Sequence, residues 1–322
     1  MPVLSGRDPA DVRQAARLLA AGELVAFATE TVYGLGARAD DDKAVARIYA
    51  AKGRPAGHPL IVHVADIAAA RHFAASLSPA AQRLIAAFWP GPLTVIVPRA
   101  AGRGAAAAGG QDSIGLRLPA HPVALALLRE AAALGVPGVA APSANRFGRV
   151  SPTTAAHVVQ EFGPALAVLD GGACDIGIES AIVDCTRALP ALLRPGQLGR
   201  QRIEAVLGAP LAQADAASPR APGTLVSHYA PAAPVRLFDA SAPPPAAAGP
   251  GRVLGVYSRL APAASAACLH RAMPADAATV AHELFAVLRD FDAAGVSAIW
   301  VERPPPGPAW DGVRDRLQRA AA

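Results

Sequence analysis

The sequence predicts an α/β protein built on one large twisted sheet, followed by a second, smaller αβ unit. Two observations carry this reading. Apolar runs of strand length recur through the first two-thirds of the chain, with helically spaced segments between several of them, and that alternation makes α/β layers. A proline-rich stretch over 211–234 then separates this region from a second set of alternating patterns. The expected division is therefore 1–210, a linker over 211–234, and 235–322.

Asp8 or Asp11 can cap a first helix whose Val12, Ala15, Ala16 and Leu19 share one face. Leu24 to Ala28 reads as a short buried strand running into the polar cluster Thr29-Glu30-Thr31. A second helix follows Asp40-Asp41-Asp42, carries Val45, Ile48 and Tyr49 at helical spacing, and stops near Gly53. Acidic residues suit the positive end of a helix dipole, so the triplet reads as a cap before it reads as a metal site. Further strands are expected at Leu60 to Val64, Leu93 to Val97, Ile114 to Leu118, Gly138 to Ala141, Leu166 to Leu169, Ala181 to Asp184 and Ala191 to Arg194. Helices are expected at Pro79 to Trp89, Pro122 to Ala133 and Thr153 to Phe162. After the linker, Val235 to Phe238, Val253 to Tyr257 and Ala298 to Val301 read as strands. Val280, Leu284, Val287, Leu288 and Phe291 form the stripe of a helix, and a last helix starts near Trp310. The tract 242–251 is compositionally a loop.

At 322 residues the chain is long enough to bury two cores. Its formal charge of +5 comes from scattered Arg residues, which argues against a dedicated nucleic-acid surface and suits phosphate-bearing substrates. Among 30 basic residues only Lys43 and Lys52 are lysines. Cys174, Cys185 and Cys268 are too few and too dispersed for a zinc site or a disulfide framework, which fits a reducing compartment. Met1 to Asp8 lack the apolar core of a leader, and no charge-free apolar run reaches membrane-spanning length. A cytoplasmic protein with no membrane partner is expected.

Gly34-Leu35-Gly36-Ala37-Arg38-Ala39 fits the dinucleotide fingerprint with Ala in the last place. The helix signals come too late for it, and Lys52-Gly53-Arg54-Pro55 stands near where a ribose-binding acid belongs, so a nicotinamide site is not expected. The stronger signal is a set of polar residues at strand ends. Lys52 and Arg54 project from a Gly/Pro-stiffened turn, a pairing suited to a polyphosphate, although basic residues also cap helix ends. Arg117 lies inside an apolar strand and needs an anionic partner, either a carboxylate of the chain or a ligand. Pro142-Ser143-Ala144-Asn145 follows a strand, where open α/β sheets bind ligands. Gly177 to Ala181 and Leu193 to Gly196 repeat that arrangement, while His63 alone reads as a core histidine.

Taken together, Thr29 to Leu35, Lys52 to Pro55, His58-Pro59-Leu60, Trp89 to Thr94, Arg117-Leu118-Pro119, Pro142 to Asn145 and Leu193 to Gly196 resemble the YrdC-type domain of threonylcarbamoyl-AMP synthases. Ser227-His228-Tyr229-Ala230-Pro231 and the region after it resemble the longer form of that family. The resemblance implies a YrdC-type twisted mixed sheet flanked by helices, with a small Rossmann-like αβ domain after it. It also implies a nucleotidyltransferase that makes threonylcarbamoyl-AMP and pyrophosphate from L-threonine, bicarbonate and ATP. Lys52 and Arg54 would then be catalytic. ATP would meet Arg54, His58, Ser113, Ser143, Asn145, Arg194 and Tyr229, and L-threonine would meet Thr31, His63, Arg117, the Ala141 backbone and Ser180. His58 and Ser113 stand where some relatives carry an amide and a Thr. Mg²⁺ would arrive with the polyphosphate, with no metal site in the protein. Tyr229 would belong to a lid. The product would pass to a tRNA threonylcarbamoyl transferase, a transient partner at most, and a weak direct contact with tRNA stays open. The rival readings are the carbamoyl-transfer relative of hydrogenase maturation, an RNA-binding module and an ATP-binding regulator.

Overall fold

The computed structural model describes residues 3–242, 253–260 and 268–322. Val3–Ser5 (β1) leads into Pro9–Ala20 (α1), where the Asp8 side chain accepts from the Ala10 N–H at 2.8 Å. Val25–Phe27 (β2) pairs antiparallel with Gly34–Arg38 (β3). Asp42–Lys52 (α2) is capped by Asp41 and ends on Gly53 at φ 65°, a left-handed position that glycine occupies without strain. Ile61–His63 (β4), Ile67–Phe73 (α3), Pro79–Phe88 (α4), Leu93–Pro98 (β5), Ser113–Arg117 (β6) and Pro122–Ala133 (α5) follow. Val139–Ala140 (β7), Ala155–Phe162 (α6), Ala167–Asp170 (β8), Ala181–Asp184 (β9), Ala191–Arg194 (β10) and Arg200–Leu207 (α7) complete this part.

These strands form a ten-stranded mixed sheet in the order β1-β8-β2-β3-β7-β4-β6-β5-β9-β10. Strand alternation sends side chains to opposite faces. Leu35, Val62, Val95, Val97, Leu116 and Val183 join Ile48, Leu84, Phe73 and Ile203 in the main core. Val25, Phe27, Val139 and Leu169 pack with α1 and α5 in another. On β4, β5, β9 and β10 the remaining face is covered by no helix among the described residues. There Ile61, Ile96, Ile182 and Leu193 meet Ala221 of the segment after α7. That uncovered face carries the site.

Val235–Phe238 (β11), Leu254–Ser258 (β12), Cys268–Ala272 (β13), Ala277–Ala293 (α8), Ala298–Glu302 (β14) and Asp311–Ala320 (α9) form the rest. Their sheet is parallel, in the order β11-β14-β12-β13, a Rossmann-like arrangement. Apart from its first residue, the tract 242–251 lies outside the described residues. The stripe from Val280 to Phe291 faces inward on α8, and α8 closes on the first unit at Gly177. A Cβ at Gly177 would stand 2.2 Å from the His282 carbonyl oxygen, so only glycine admits this approach.

Gly34 to Arg38 of the dinucleotide fingerprint form β3 itself, not a phosphate loop. A Cβ at Gly36 would come within 2.8 Å of Val139 and 2.9 Å of Phe27, so this glycine serves strand packing. The sequence reading gave no β1, α3, α7 or β13. β1 is too short and β13 too exposed to give a recognisable strand pattern, and α3 and α7 are too short for a strong helical stripe.

Candidate active site

Alternation along β6 places Ser113, Gly115 and Arg117 on the uncovered face, and along β4 it places Ile61 and His63 there. The parallel register sets His63 directly beside Arg117. Thr94 on β5 shares that face, and its hydroxyl lies 2.8 Å from the Ser180 hydroxyl. Arg194 reaches the same face because β10 slips register between Leu192 and Arg194, which brings Arg194 opposite Ile182. A bulge re-aims a side chain in this way. Arg194 donates to the Ser180 carbonyl from Nε at 3.1 Å and from Nη2 at 2.9 Å.

Arg117 is buried, and the structure supplies its partner. Nη2 lies 2.7 Å from Glu30 Oε1, and Nη1 donates to Thr31 Oγ1 at 2.9 Å. The salt bridge that the sequence left as one alternative is therefore present, with Thr31 held at its edge. Burial alone would raise the Glu30 carboxyl, but the Arg117 charge, the hydrogen bond from Arg117 and backbone N–H groups together hold it below its ordinary value. His63 is pushed down to about 3 by burial and then by Arg117, so the ring is neutral.

The two cations of the 52–59 segment do not project side by side, as the sequence reading had them. Lys52 is buried and donates to the Ser143 carbonyl at 2.6 Å and also to the Asn145 carbonyl. It braces the Ser143 turn from behind, and burial followed by the nearby Arg54 lowers its pKa well below the usual lysine value. Asn145 faces the same way, its amide donating to the Arg146 and Arg149 carbonyls at 2.8 and 2.9 Å. Arg54 does face the cavity. Nη2 donates to the Pro59 carbonyl at 2.8 Å, and burial takes the guanidinium down to about 10.

Three adjoining hollows lie under residues 220–225 of the linker. The main cavity, about 530 Å³, is lined by Thr31, Arg54, His63, Arg117, Ala141, Ser143, Ser180, Arg194 and Tyr229, all expected from the sequence. Thr29, Glu179, Gly223 and His228 also line it and were not assigned from the sequence. A second hollow of about 410 Å³ shares Arg54, Gly223 and His228 with it and adds His58, Phe147 and Arg220. Ser113 lines a third, beside Thr94 and Pro222. Lys52 and Asn145 line none of these. In the main cavity, Arg54 Nε, His63 Nδ1 and Tyr229 Oη are buried and have no hydrogen-bond partner among the described residues. Buried polar atoms are normally satisfied, so polar atoms left open along one wall mark a place for a polar ligand.

The C-terminal unit reaches this wall through Arg316 of α9, whose Nε donates to Glu179 Oε2 at 2.8 Å. Val313, Arg316, Leu317 and Ala320 make the buried face of α9, so an Arg inside an apolar helical stripe was the signal that could have revealed it.

The comparisons with known proteins fit this geometry. The family model called "Telomere recombination" matches residues 17–196, and that of the "Threonylcarbamoyl-AMP synthase, C-terminal domain" matches 198–322. The threonylcarbamoyl-AMP synthase of Bacillus subtilis is 44% identical over 245 residues, covering 74% of this chain and 69% of that one. The chain belongs to the threonylcarbamoyl-AMP synthase family. Its activity is threonylcarbamoyl-AMP synthesis, in the two-domain form of that family. The Pyrococcus abyssi member is 43% identical over 234 residues, 71% of this chain and 68% of that one. A solved structure of P. abyssi Sua5 complexed with L-threonine superposes with a TM-score of 0.88 at 33% identity, covering 100% of this chain and 98% of that one.

Proposed function

We propose that the main cavity and the hollow beside it bring L-threonine, bicarbonate and ATP together, and that the enzyme acts as a nucleotidyltransferase. The supporting observation is the division of the cavity wall. Thr31, His63, Arg117 and Ser180 stand at the sheet end, and Arg54, Ser143, Arg194 and Tyr229 stand toward the linker. The first set suits a small amino acid, its carboxylate drawn to Arg117 and its hydroxyl to neutral His63. The second set suits phosphate oxygens, with Arg54 and Arg194 as fixed cations. His58 and Phe147, 5.5 Å apart in edge contact, stand in the adjoining hollow and suit the adenosine.

The threonine amine and bicarbonate would lose water to form a carbamate. Its oxygen then attacks the α-phosphorus of ATP, the bond to the bridging oxygen breaks, and pyrophosphate leaves. Arg54 and Arg194 balance charge on the phosphate oxygens, while Lys52 acts through the Ser143 turn that it holds. Tyr229 and the linker close the cavity and keep water from the adenylate. Mg²⁺ enters on the phosphates. Glu179, the carboxylate among the described lining residues, is engaged by Ser151 and Arg316, so phosphate oxygens and water would hold the ion, which when bound would neutralise phosphate charge. The product then passes to a tRNA threonylcarbamoyl transferase in the cytoplasm. No helix among the described residues is long and apolar enough to cross a membrane.

The test is pyrophosphate release from ATP with bicarbonate and single amino acids. Release that requires both bicarbonate and L-threonine is expected. Release with ATP alone, or salt-sensitive tRNA binding without ATP turnover, would overturn the reading.

A further inference from the structure

Nearly every group assigned above lies before residue 235, yet one charge from the far end of the chain stands at the cavity wall. Arg316 has no solvent exposure. Besides the 2.8 Å contact with the Glu179 carboxylate, it donates to the Glu179 carbonyl at 3.2 Å and to the Pro195 carbonyl at 2.9 Å. Its guanidinium also sits 5.3 Å over the Tyr229 ring. These contacts are not spread at random over an interface. Glu179 directly precedes Ser180, and Pro195 directly follows Arg194. Ser180 and Arg194 are in turn bonded to each other.

We propose that Arg316 is a positioning residue for the reaction: the C-terminal domain inserts it behind the cavity wall to balance Glu179 and seat Tyr229, so that Ser180 and Arg194 keep their aim. This rests on the reading of the cavity as the synthase site. Glu179 is a carboxylate in a cavity meant for anions, and left bare it would repel the triphosphate and the carbamate alike. The groups facing it are Arg316 and Asp315 on α9, Arg194 on β10, Lys52 on α2, Ser151 on its own loop side, and His228 and Tyr229 in the linker. His228 is pushed down to about 3 by burial and stays neutral, and burial pushes the Tyr229 phenol up. Asp315 is paired with Arg319 at 2.9 Å and also with Arg316 itself at 2.7 Å, so Arg316 bridges the two carboxylates Asp315 and Glu179. Burial alone would raise the Glu179 carboxyl, and Arg316 leads the charges that bring it below its ordinary value. Removing Arg316 therefore raises that pKa and leaves a carboxylate whose repulsion grows with pH.

The experiment compares Arg316→Met, Arg316→Lys and the pair Arg316→Met/Glu179→Gln with the wild type from pH 6 to 8.5, following pyrophosphate release and melting. Activities are read as ratios to the wild type at each pH, so titration of Lys52, common to all, divides out. Arg316→Met should lose about 100-fold in kcat/KM for ATP at pH 8 and less at pH 6. The paired variant should recover about tenfold of this and lose the pH dependence. Arg316→Lys should fold and keep a flat ratio. An Arg316→Met enzyme within twofold of wild type, or a loss that is flat with pH and not relieved by Glu179→Gln, overturns the proposal by reducing Arg316 to an interdomain staple. Should Arg316→Met not fold, the other two variants decide: a folded paired variant without turnover, or an Arg316→Lys ratio that falls with pH, is equally fatal. A wild type that releases no pyrophosphate would instead count against the synthase reading itself.

Discussion

Glu30 Oε1 lies 2.7 Å from Arg117 Nη2, and both side chains are buried. This pair anchors the guanidinium at the floor of the cavity and fixes the edge at which Thr31 and Arg117 meet.

A pH dependence follows from its sign. The Glu30 carboxyl is lower in the folded chain than its ordinary value of 4.5, because the Arg117 charge and the hydrogen bonds it receives together outweigh burial. Its contribution to stability is therefore fully present above that value and is lost as pH falls through the depressed one. Glu30→Gln should cost about 3 kcal/mol at pH 7, since it strands a buried guanidinium. The difference from wild type should be smaller at pH 3 than at pH 7. Urea unfolding at the two pH values measures this, and an equal difference at both would remove the pair from the acid response.

Lys52 gives a second prediction. Its ammonium holds the Ser143 and Asn145 carbonyls, so its loss should displace the Ser143 turn rather than simply remove a charge from the phosphates. Lys52→Ala should fold and lose about 100-fold or more in turnover, because small displacements near the reacting groups are costly. Lys52→Arg should fail to restore it, since a planar fork cannot replace a compact ammonium between two carbonyls. Normal turnover in a folded Lys52→Arg enzyme would return Lys52 to a point-charge role.

The fold was legible where periodicity was strong and obscure where it was not. α1, α2, α5 and α8 announced themselves through caps and stripes, and β9 through β11 through short apolar runs. β3 was hidden because its glycines imitated a nucleotide fingerprint while serving Phe27 and Val139. In the site, Arg117 was legible as a buried charge needing a partner, but its partner Glu30 was not, because Arg117 lies 86 positions after Thr31, the neighbour of Glu30. Lys52 could be seen at a helix end, yet its direction depends on a turn formed far along the chain. Phe147 carried no motif and became visible only through tertiary packing, while Arg316 was signalled only by its place in the apolar stripe of α9.

The last prediction concerns the linker. Tyr229 sits at φ 62°, where a non-glycine residue is strained by about 1–3 kcal/mol, and it is held there by stacking on Phe285 at 5.5 Å and by Arg316. Its hydroxyl reaches Gly223, where φ is 71° and an added Cβ would stand 2.1 Å from Tyr229 Oη but 3.3 Å from Cζ. Gly223→Ala should therefore push the ring out, destabilise the chain by about 1–3 kcal/mol and reduce kcat/KM for ATP by about 100-fold. Tyr229→Phe keeps the ring and deletes the nearest colliding atom, so Gly223→Ala should be milder in that background, with the left-handed strain and the 3.0 Å approach to Arg194 Nη1 remaining. The two effects must then be non-additive, with a coupling of about 1 kcal/mol or more in a double-mutant cycle of stability and activity. Additive losses would mean that Gly223 and Tyr229 close the cavity independently and that the linker does not act through this contact.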